Sequence, residues 1–307
     1  MESAPLEVIP CPPNHRIEAL SLVLYEIAPS QRREIAGELI SPRSESDSQA
    51  DGLFVAMRGD VLRGSVWVQP QPGNTAVLWP PKRVAGEPRH SAFPLLEAAI
   101  DWLDSTAIGM AQVLLPRRDD PDESMLESVG FSHLAELLYL TCESARFPVE
   151  PLPKSKLQFV PYEERERQRL GNLIERTYLD SLDCPALNGA RGIDDVIAGY
   201  GATGLFRPEN WQFVRHEGND VGMLLLADHP SARHWELVYM GLVPEARGHG
   251  WGRQITQHAQ SLARRANVDR IVLAVDAANS PALAMYRAAG FEMWDRRNVY
   301  VRFAAAP

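Results

Sequence analysis

Two α/β halves of similar plan are what the 307-residue sequence predicts, on three observations. The length is about twice that of an ordinary domain of roughly 100 to 200 residues. Strand-like and helix-like runs follow one another in the same order in the first and second halves. Finally, Glu127-Ser128-Val129-Gly130-Phe131 and Arg287-Ala288-Ala289-Gly290-Phe291 each close a helical stretch ahead of a last strand, 160 residues apart, the mark of an internal duplication.

The elements follow from periodicity and turn chemistry. The first half reads as a helical stretch over 17–39, a Ser-rich loop over 41–51, strands at 53–58, 62–68 and 75–79, a helix at 93–103, a strand at 111–115, a helix near 123–129 and a strand at 136–142. The segment 147–156, with three prolines and no period, reads as a linker between domains 1–146 and 157–307. The second half reads as a strand at 157–160, a helix at 163–178, a second helix near 193–201 and strands at 211–216, 221–227 and 235–243. Glu217-Gly218-Asn219-Asp220 supplies the turn between the first two of these three. A helix over 253–266, a strand at 270–275, a helix at 281–289 and a strand at 298–303 complete it.

Composition narrows the function. With 45% hydrophobic and 23% charged residues the chain can bury a sizeable core. No apolar run approaches the roughly 18 to 20 residues that cross a bilayer, and the first residues lack the pattern of a secretory signal, which implies a cytoplasmic address and no membrane partner. Three widely spaced cysteines, Cys11, Cys142 and Cys184, argue against a disulfide framework and a zinc site, so no metal is expected. The net charge of -9 disfavours nucleic acid as a partner. Residues 1–150 hold 12 basic against 22 acidic residues and the rest 19 against 18, so the acidity belongs to the first half. The oligomeric state is not legible.

The most informative segment runs from Met240 to Arg253, between a strand and a helix. Gly248, Gly250 and Gly252 on alternate positions let backbone N–H groups converge, and the helix beginning there adds its positive dipole end, which makes a phosphate cradle. A dinucleotide fold would share this order, with Asp276 near the place of a ribose-binding acid, but the G-x-G-x-x-G spacing is absent, as is the P-loop ending.

At these residues the sequence resembles the GNAT acetyltransferase superfamily. The pyrophosphate-loop pattern Arg/Gln-x-x-Gly-x-Gly/Ala is met by Arg247, Gly250 and Gly252. A second family pattern, Asn-x-x-Ala-x-x-x-Tyr-x-x-x-Gly-Phe, is met from Asn279 through Ala282 and Tyr286 to Gly290-Phe291. The resemblance implies two tandem GNAT-like domains, each a mixed, mostly antiparallel sheet flanked by helices. In the second, the sheet would splay between its fourth and fifth strands to admit acetyl-coenzyme A as co-substrate. It further implies that Met240, Gly241 and Leu242 hold the pantetheine arm and that the Leu242 N–H polarises the thioester carbonyl. Arg247, Gly248, His249, Gly250, Trp251, Gly252 and Arg253 would hold the pyrophosphate, with Asn279 also at the cofactor. Tyr286 stands in the general-acid position and Glu236, six residues before Leu242, in that of the general base. The implied reaction is direct transfer of an acetyl group to an amine of a small molecule or peptide. The alternative is a non-catalytic acyl-coenzyme A binding protein. The acidic segment Tyr178 to Pro185 lies where the family builds its acceptor site.

The first half lacks these parts. Alignment on the Gly-Phe pairs puts Leu126 where Tyr286 stands and Asp119 where Asn279 stands. The counterpart of the phosphate loop, Pro80 to His90, has one glycine and three prolines that remove N–H donors. A degenerate copy without a cofactor motif is expected there.

Overall fold

The computed structural model describes residues 4–40, 52–116, 120–149 and 156–304. The Ser-rich loop 41–51, the position of Asp119 and most of the 147–156 linker lie outside the described residues. By contacts the chain divides into two compact units, Met1–His133 with Tyr300–Pro307, and Leu134–Val299. That division does not coincide with the boundary read from the sequence.

The first unit begins with β1 (Glu7–Pro10), α1 (Arg16–Val23) and α2 (Pro29–Ile40). The single helix expected over 17–39 is two, because Pro29 restricts Ala28 and removes a helical donor. Strands β2 (Leu53–Arg58), β3 (Val61–Gln71) and β4 (Thr75–Arg83) follow, then α3 (Ala92–Asp104), β5 (Met110–Leu115) and α4 (Glu123–Ser128). Pro80 to Arg83, read as a loop, continue β4 instead. The apolar face of α3, with Leu95, Leu96, Ala99 and Leu103, packs on Val66, Val68, Leu78 and Val113. Strand order is β1-β2-β3-β4-β5, and the neighbour of β5 is the end of the last strand of the chain.

The second unit starts inside β6 (Ser132–Glu143), followed by β7 (Gln158–Pro161), α5 (Arg167–Tyr178) and α6 (Ile193–Ala202). Next come β8 (Trp211–His216), β9 (Asn219–His229), β10 (His234–Leu242), α7 (Trp251–Arg265), β11 (Arg270–Asp276), α8 (Ser280–Ala288) and β12 (Glu292–Phe303). The β8–β9 turn has Glu217 and Gly218 at φ 49° and 82°, the two left-handed residues a tight hairpin needs. Strand order is β12-β6-β11-β10-β9-β8-β7. Ile255, Ala259 and Ala263 of α7, on a spacing of four, bury against this sheet with Leu224, Leu226, Ile271 and Leu273. The pairs β1–β2, β2–β3, β3–β4, β6–β11, β7–β8, β8–β9 and β9–β10 are antiparallel, while β4 with β5 and β10 with β11 are parallel.

Each half thus has its last strand elsewhere than its own sequence suggests. β6, closing the first half, pairs with β11 from Leu137 to Glu143, while Tyr300 to Phe303 of β12 belong to the first unit. Among the described residues no helix is long and apolar enough to cross a membrane.

Candidate active site

The site originates in how briefly two strands pair. β10 and β11 are parallel and in register only over His234, Trp235 and Glu236 with Arg270, Ile271 and Val272. A bulge between Leu237 and Tyr239 then turns β10, which stays on β9 through Leu242. Beyond Glu236 the two strands part. The gap is a cleft of about 230 Å³ lined by Leu237 to Leu242, Ala274 and Val275, Asn279, Ala282 and Tyr286, and by Asp180 to Asp183.

Backbone direction makes the cleft a donor site. The Val243 N–H is bonded to Val221 O of β9, so by alternation along the strand the N–H groups of Leu242 and Met240 face the other way, into the gap. Close packing holds this stretch: a Cβ at Gly241 would lie 2.7 Å from Thr177 Oγ1 and 2.8 Å from the Tyr239 hydroxyl. Those two hydroxyls are themselves 2.6 Å apart.

The glycine loop follows. Gly248 and Gly250 have φ of 80° and 72°, and a Cβ at either would meet open space. Gly250 precedes α7 as its N-cap and no side chain caps the helix. The first N–H groups of a 15-residue helix are therefore left facing outward, as an anion site requires. The rings of His249 and His216 lie 5.0 and 4.6 Å from that of Trp251 and brace the loop.

Arg247 is placed differently from a phosphate ligand. Its Nε donates to Leu242 O at 3.1 Å, Nη1 to Asp180 O at 2.9 Å, and Nη2 to Thr177 O and Leu179 O at 2.9 and 2.8 Å. The guanidinium ties the loop to the end of α5. The far end of the same segment is fixed by reciprocal bonds. Asp276 N donates to Asp183 Oδ1 at 3.0 Å, and Cys184 N to Asp276 Oδ2 at 3.1 Å.

Tyr286, on α8, is 5% exposed and meets Phe291 edge to face at 5.5 Å. Burial, and then the charge of Asp183, push its phenol well above the usual tyrosine range, so it is protonated at neutral pH. Asn279 lines the cleft and caps α8 by accepting from Ala282 N at 3.3 Å. Glu236 sits at the last paired position before the splay, is not among the residues lining the cleft, and lies 3.1 Å from His229 Nε2. Asp183 does line the cleft. Loss of solvation between the walls raises its carboxyl, the Asp276 carboxylate adding to this and the Asp276 N–H opposing it. As single residues, Asp183 and Thr177 escaped the sequence reading, which took the acids near Asp183 only as a group; nothing in the sequence pairs Asp183 with Asp276, 93 residues away. Burial pushes the Cys184 thiol up to about 12, which leaves it a poor nucleophile.

A parallel pair that parts over an open cleft, followed by an uncapped glycine loop, defines the acetyltransferase fold of the GNAT type. Residues 177–291 match the model of the Acetyltransferase (GNAT) family. A mycothiol acetyltransferase of Saccharomonospora viridis is 29% identical over 189 residues, 57% of this chain and 59% of that protein. One of Beutenbergia cavernae is 34% identical over 106 residues, covering 34% and 35% of the two chains. The chain therefore matches between about a third and three-fifths of these relatives' length. Among solved structures, a GCN5-related N-acetyltransferase from Sphaerobacter thermophilus superposes with a TM-score of 0.66 at 14% identity, covering 98% of this chain and 97% of that one. A tandem GNAT protein of the clavulanic acid biosynthesis pathway gives 0.56 at 15% identity over 99% and 100%. These establish the fold over the whole length.

Proposed function

We propose that the chain is an acetyl-coenzyme A dependent N-acetyltransferase that passes the acetyl group directly from the thioester to a primary amine. One observation carries this reading: the Met240 and Leu242 N–H groups face a cleft that also holds a protonated Tyr286. The open loop at Gly248 to Arg253 suits the pyrophosphate, through backbone donors, with Arg247 shaping the loop. The amine nitrogen bonds to the carbonyl carbon, negative charge on the carbonyl oxygen is met by the Leu242 N–H, and the C–S bond breaks as Tyr286 protonates the leaving thiolate. An amine must lose a proton to attack; Glu236 is the base in this reading, acting through water because it stands outside the cleft lining. The acceptor is a small-molecule or peptide amine. Since relatives are named mycothiol acetyltransferases, deacetylated mycothiol is the first acceptor to try.

The first half is, in this proposal, a copy without donor chemistry. Leu126 is fully buried on α4 where a phenol would be needed. Lys82 is paired with Asp122 at 2.8 Å, Arg83 bonds the Glu87 carbonyl, and Arg89 that of Pro121.

Release of free thiol from acetyl-coenzyme A across an amine panel tests the reading. Tyr286→Phe is expected to lower kcat by about 100-fold or more while leaving the KM for acetyl-coenzyme A nearly unchanged; unaltered turnover across the pH range would remove the acid role. Glu236→Gln is expected to abolish the acid limb of the kcat/KM profile. A base must be deprotonated to act, so activity falls as pH drops through its pKa. If Asp183→Asn abolishes the limb instead, and that limb lies above the ordinary aspartate value of 3.8, the base is Asp183.

A further inference from the structure

Glu236 does not stand alone at the edge of the cleft. Trp235 and Leu237, on either side of it, are buried in the core with Ile271, Leu273 and Val275 of β11, so Glu236 and Ala274 both point to the opposite face of the sheet. The bulge brings Tyr239 to that face too, because Leu237 and Tyr239 pair with adjacent residues of β9, Leu226 and Leu225. Ala274 and Tyr239 line the cleft. Glu236 therefore shares the face from which these two reach it, and on its far side stands His229, at the end of β9. The His229 Nε2 lies 3.1 Å from Glu236 Oε2. An ionised carboxylate only accepts, so the nitrogen facing it carries the proton and donates. Two further contacts fix the imidazole. His234, directly opposite in register, stacks on it with centroids 4.5 Å apart and planes at 19°. The chain after α6 closes on the ring edge: Leu205 and Asp228 exchange backbone bonds at 2.7 and 3.3 Å. Gly204, at φ 57°, comes so near that a Cβ would lie 2.9 Å from both Cε1 and Nε2 of His229. Only a glycine lets the backbone approach that edge so closely.

A half-exposed glutamate with nothing to hold it spreads over several rotamers, and a base that works through water depends on where its free oxygen points. We infer that His229 is a positioning residue for acetyl transfer: by occupying Oε2 it fixes the Glu236 carboxylate and leaves Oε1 as the oxygen that receives the amine proton. This rests on Glu236 being the base. The amine gives its proton to a water, the water passes one to Oε1, and the Nε2 proton stays on the imidazole throughout. A hydrogen bond to the ionised form also favours that form, so His229 keeps Glu236 ready as a base to lower pH. The other charged and titratable groups around the pair are Asp228, bound by Arg207 at 2.8 Å, Arg270 and His234, paired in register, and Tyr139 of β6, whose hydroxyl feels the charge of Glu236. Burial, and then the charge of His229, hold His234 below the ordinary histidine range, Arg270 acting in the same direction and the Ala232 backbone and Asp228 against it. His234 is thus uncharged at neutral pH and does not compete for the carboxylate.

Thiol release from acetyl-coenzyme A, with the best amine of the panel, is followed against pH for the whole protein and for His229→Phe, His229→Gln, Glu236→Gln and the double variant His229→Phe with Glu236→Gln. Thermal midpoints check that each is folded. The expected result for His229→Phe is a fall in kcat/KM of about tenfold, an acid limb moved to higher pH, and an unchanged KM for acetyl-coenzyme A. His229→Gln, whose amide N–H can reach the same oxygen, should restore most of both. The double variant should be no slower than Glu236→Gln alone, because His229 acts only through that carboxylate. An unmoved acid limb in His229→Phe, or a double variant slowed by the product of the two single effects, overturns the positioning role and leaves Glu236 as base. An acid limb that survives Glu236→Gln removes the base and the positioning role together. Imidazole 15N shifts test the bond without turnover: a proton on His229 Nε2, with shifts altered by Glu236→Gln, is expected, and a proton on Nδ1 alone overturns the inference. Absence of thiol release with every amine removes acetyl transfer, and this role with it, whatever the tautomer.

Discussion

At the scale of single residues, environment decides more than type. His258 of α7 stacks on Phe159 at 3.6 Å and lies 2.8 Å from Gln212 Oε1. Burial, helped by the charge of Arg265, lowers its pKa to about 4. The folded value lies below the unfolded value of about 6.5, so the unfolded chain binds more protons between these limits and stability falls as pH drops from about 6.5 to 4. At about 1.4 kcal/mol per pKa unit the loss approaches about 3 kcal/mol. Denaturant midpoints measured across that range should slope accordingly, and His258→Gln should flatten the slope; a wild-type midpoint independent of pH there would contradict it. The residues whose place follows from a local pattern were legible: Gly248, Gly250, Asn279 and Tyr286 stand in a loop and a helix the sequence announces. Arg247 was legible as a residue of the loop but not in its partners, because three of its four carbonyls lie on a segment about 70 residues earlier.

At the scale of elements, the segment Leu179 to Cys184 is stretched between two fastenings, the Arg247 guanidinium and the Asp183–Asp276 pair. It brings Asp180 and Asp183 to the cleft lining, so the geometry of the glycine loop and of this wall of the cleft are mechanically joined. Arg247→Ala should accelerate amide hydrogen exchange across 179–184, with the amides of β9 protected as before. Unaltered exchange would show that the backbone holds itself. Element boundaries were read well where alternation is clear, as in β2, β5, β8 and β11. They were short where it is not. Glu292 to Arg297 at the start of β12 mixes charges with Met293 and Trp294, and Pro80-Pro81 inside β4 imitates a loop although that segment pairs with β3 only on either side of a register shift.

At the scale of the molecule, alternation shows that a segment is a strand but not which strand it will bond. The duplication read from the two Gly-Phe closures therefore suggested two self-contained halves, and the boundary 147–156 followed. The structure instead gives β6 to the second unit and the end of β12 to the first. A fragment of residues 157–307 would leave the inner edge of β11 bare, a row of unpaired N–H and C=O groups that invites aggregation. Such a fragment is expected to lack a cooperative thermal transition and thiol-releasing activity. A soluble, fully active fragment would show that β6 is dispensable to the second unit.

The exchange of closing strands also sets a timetable for synthesis. When β6 leaves the ribosome its partner β11 has yet to be made, and at ordinary elongation rates the delay is on the order of 10 s. β5 waits longer still, until Tyr300 to Phe303 emerge. During that interval each incomplete sheet offers a hydrophobic edge to whatever is nearby, including the nascent chains of neighbouring ribosomes, so the yield of this protein should depend on translation speed and chaperone supply more than its final stability would suggest.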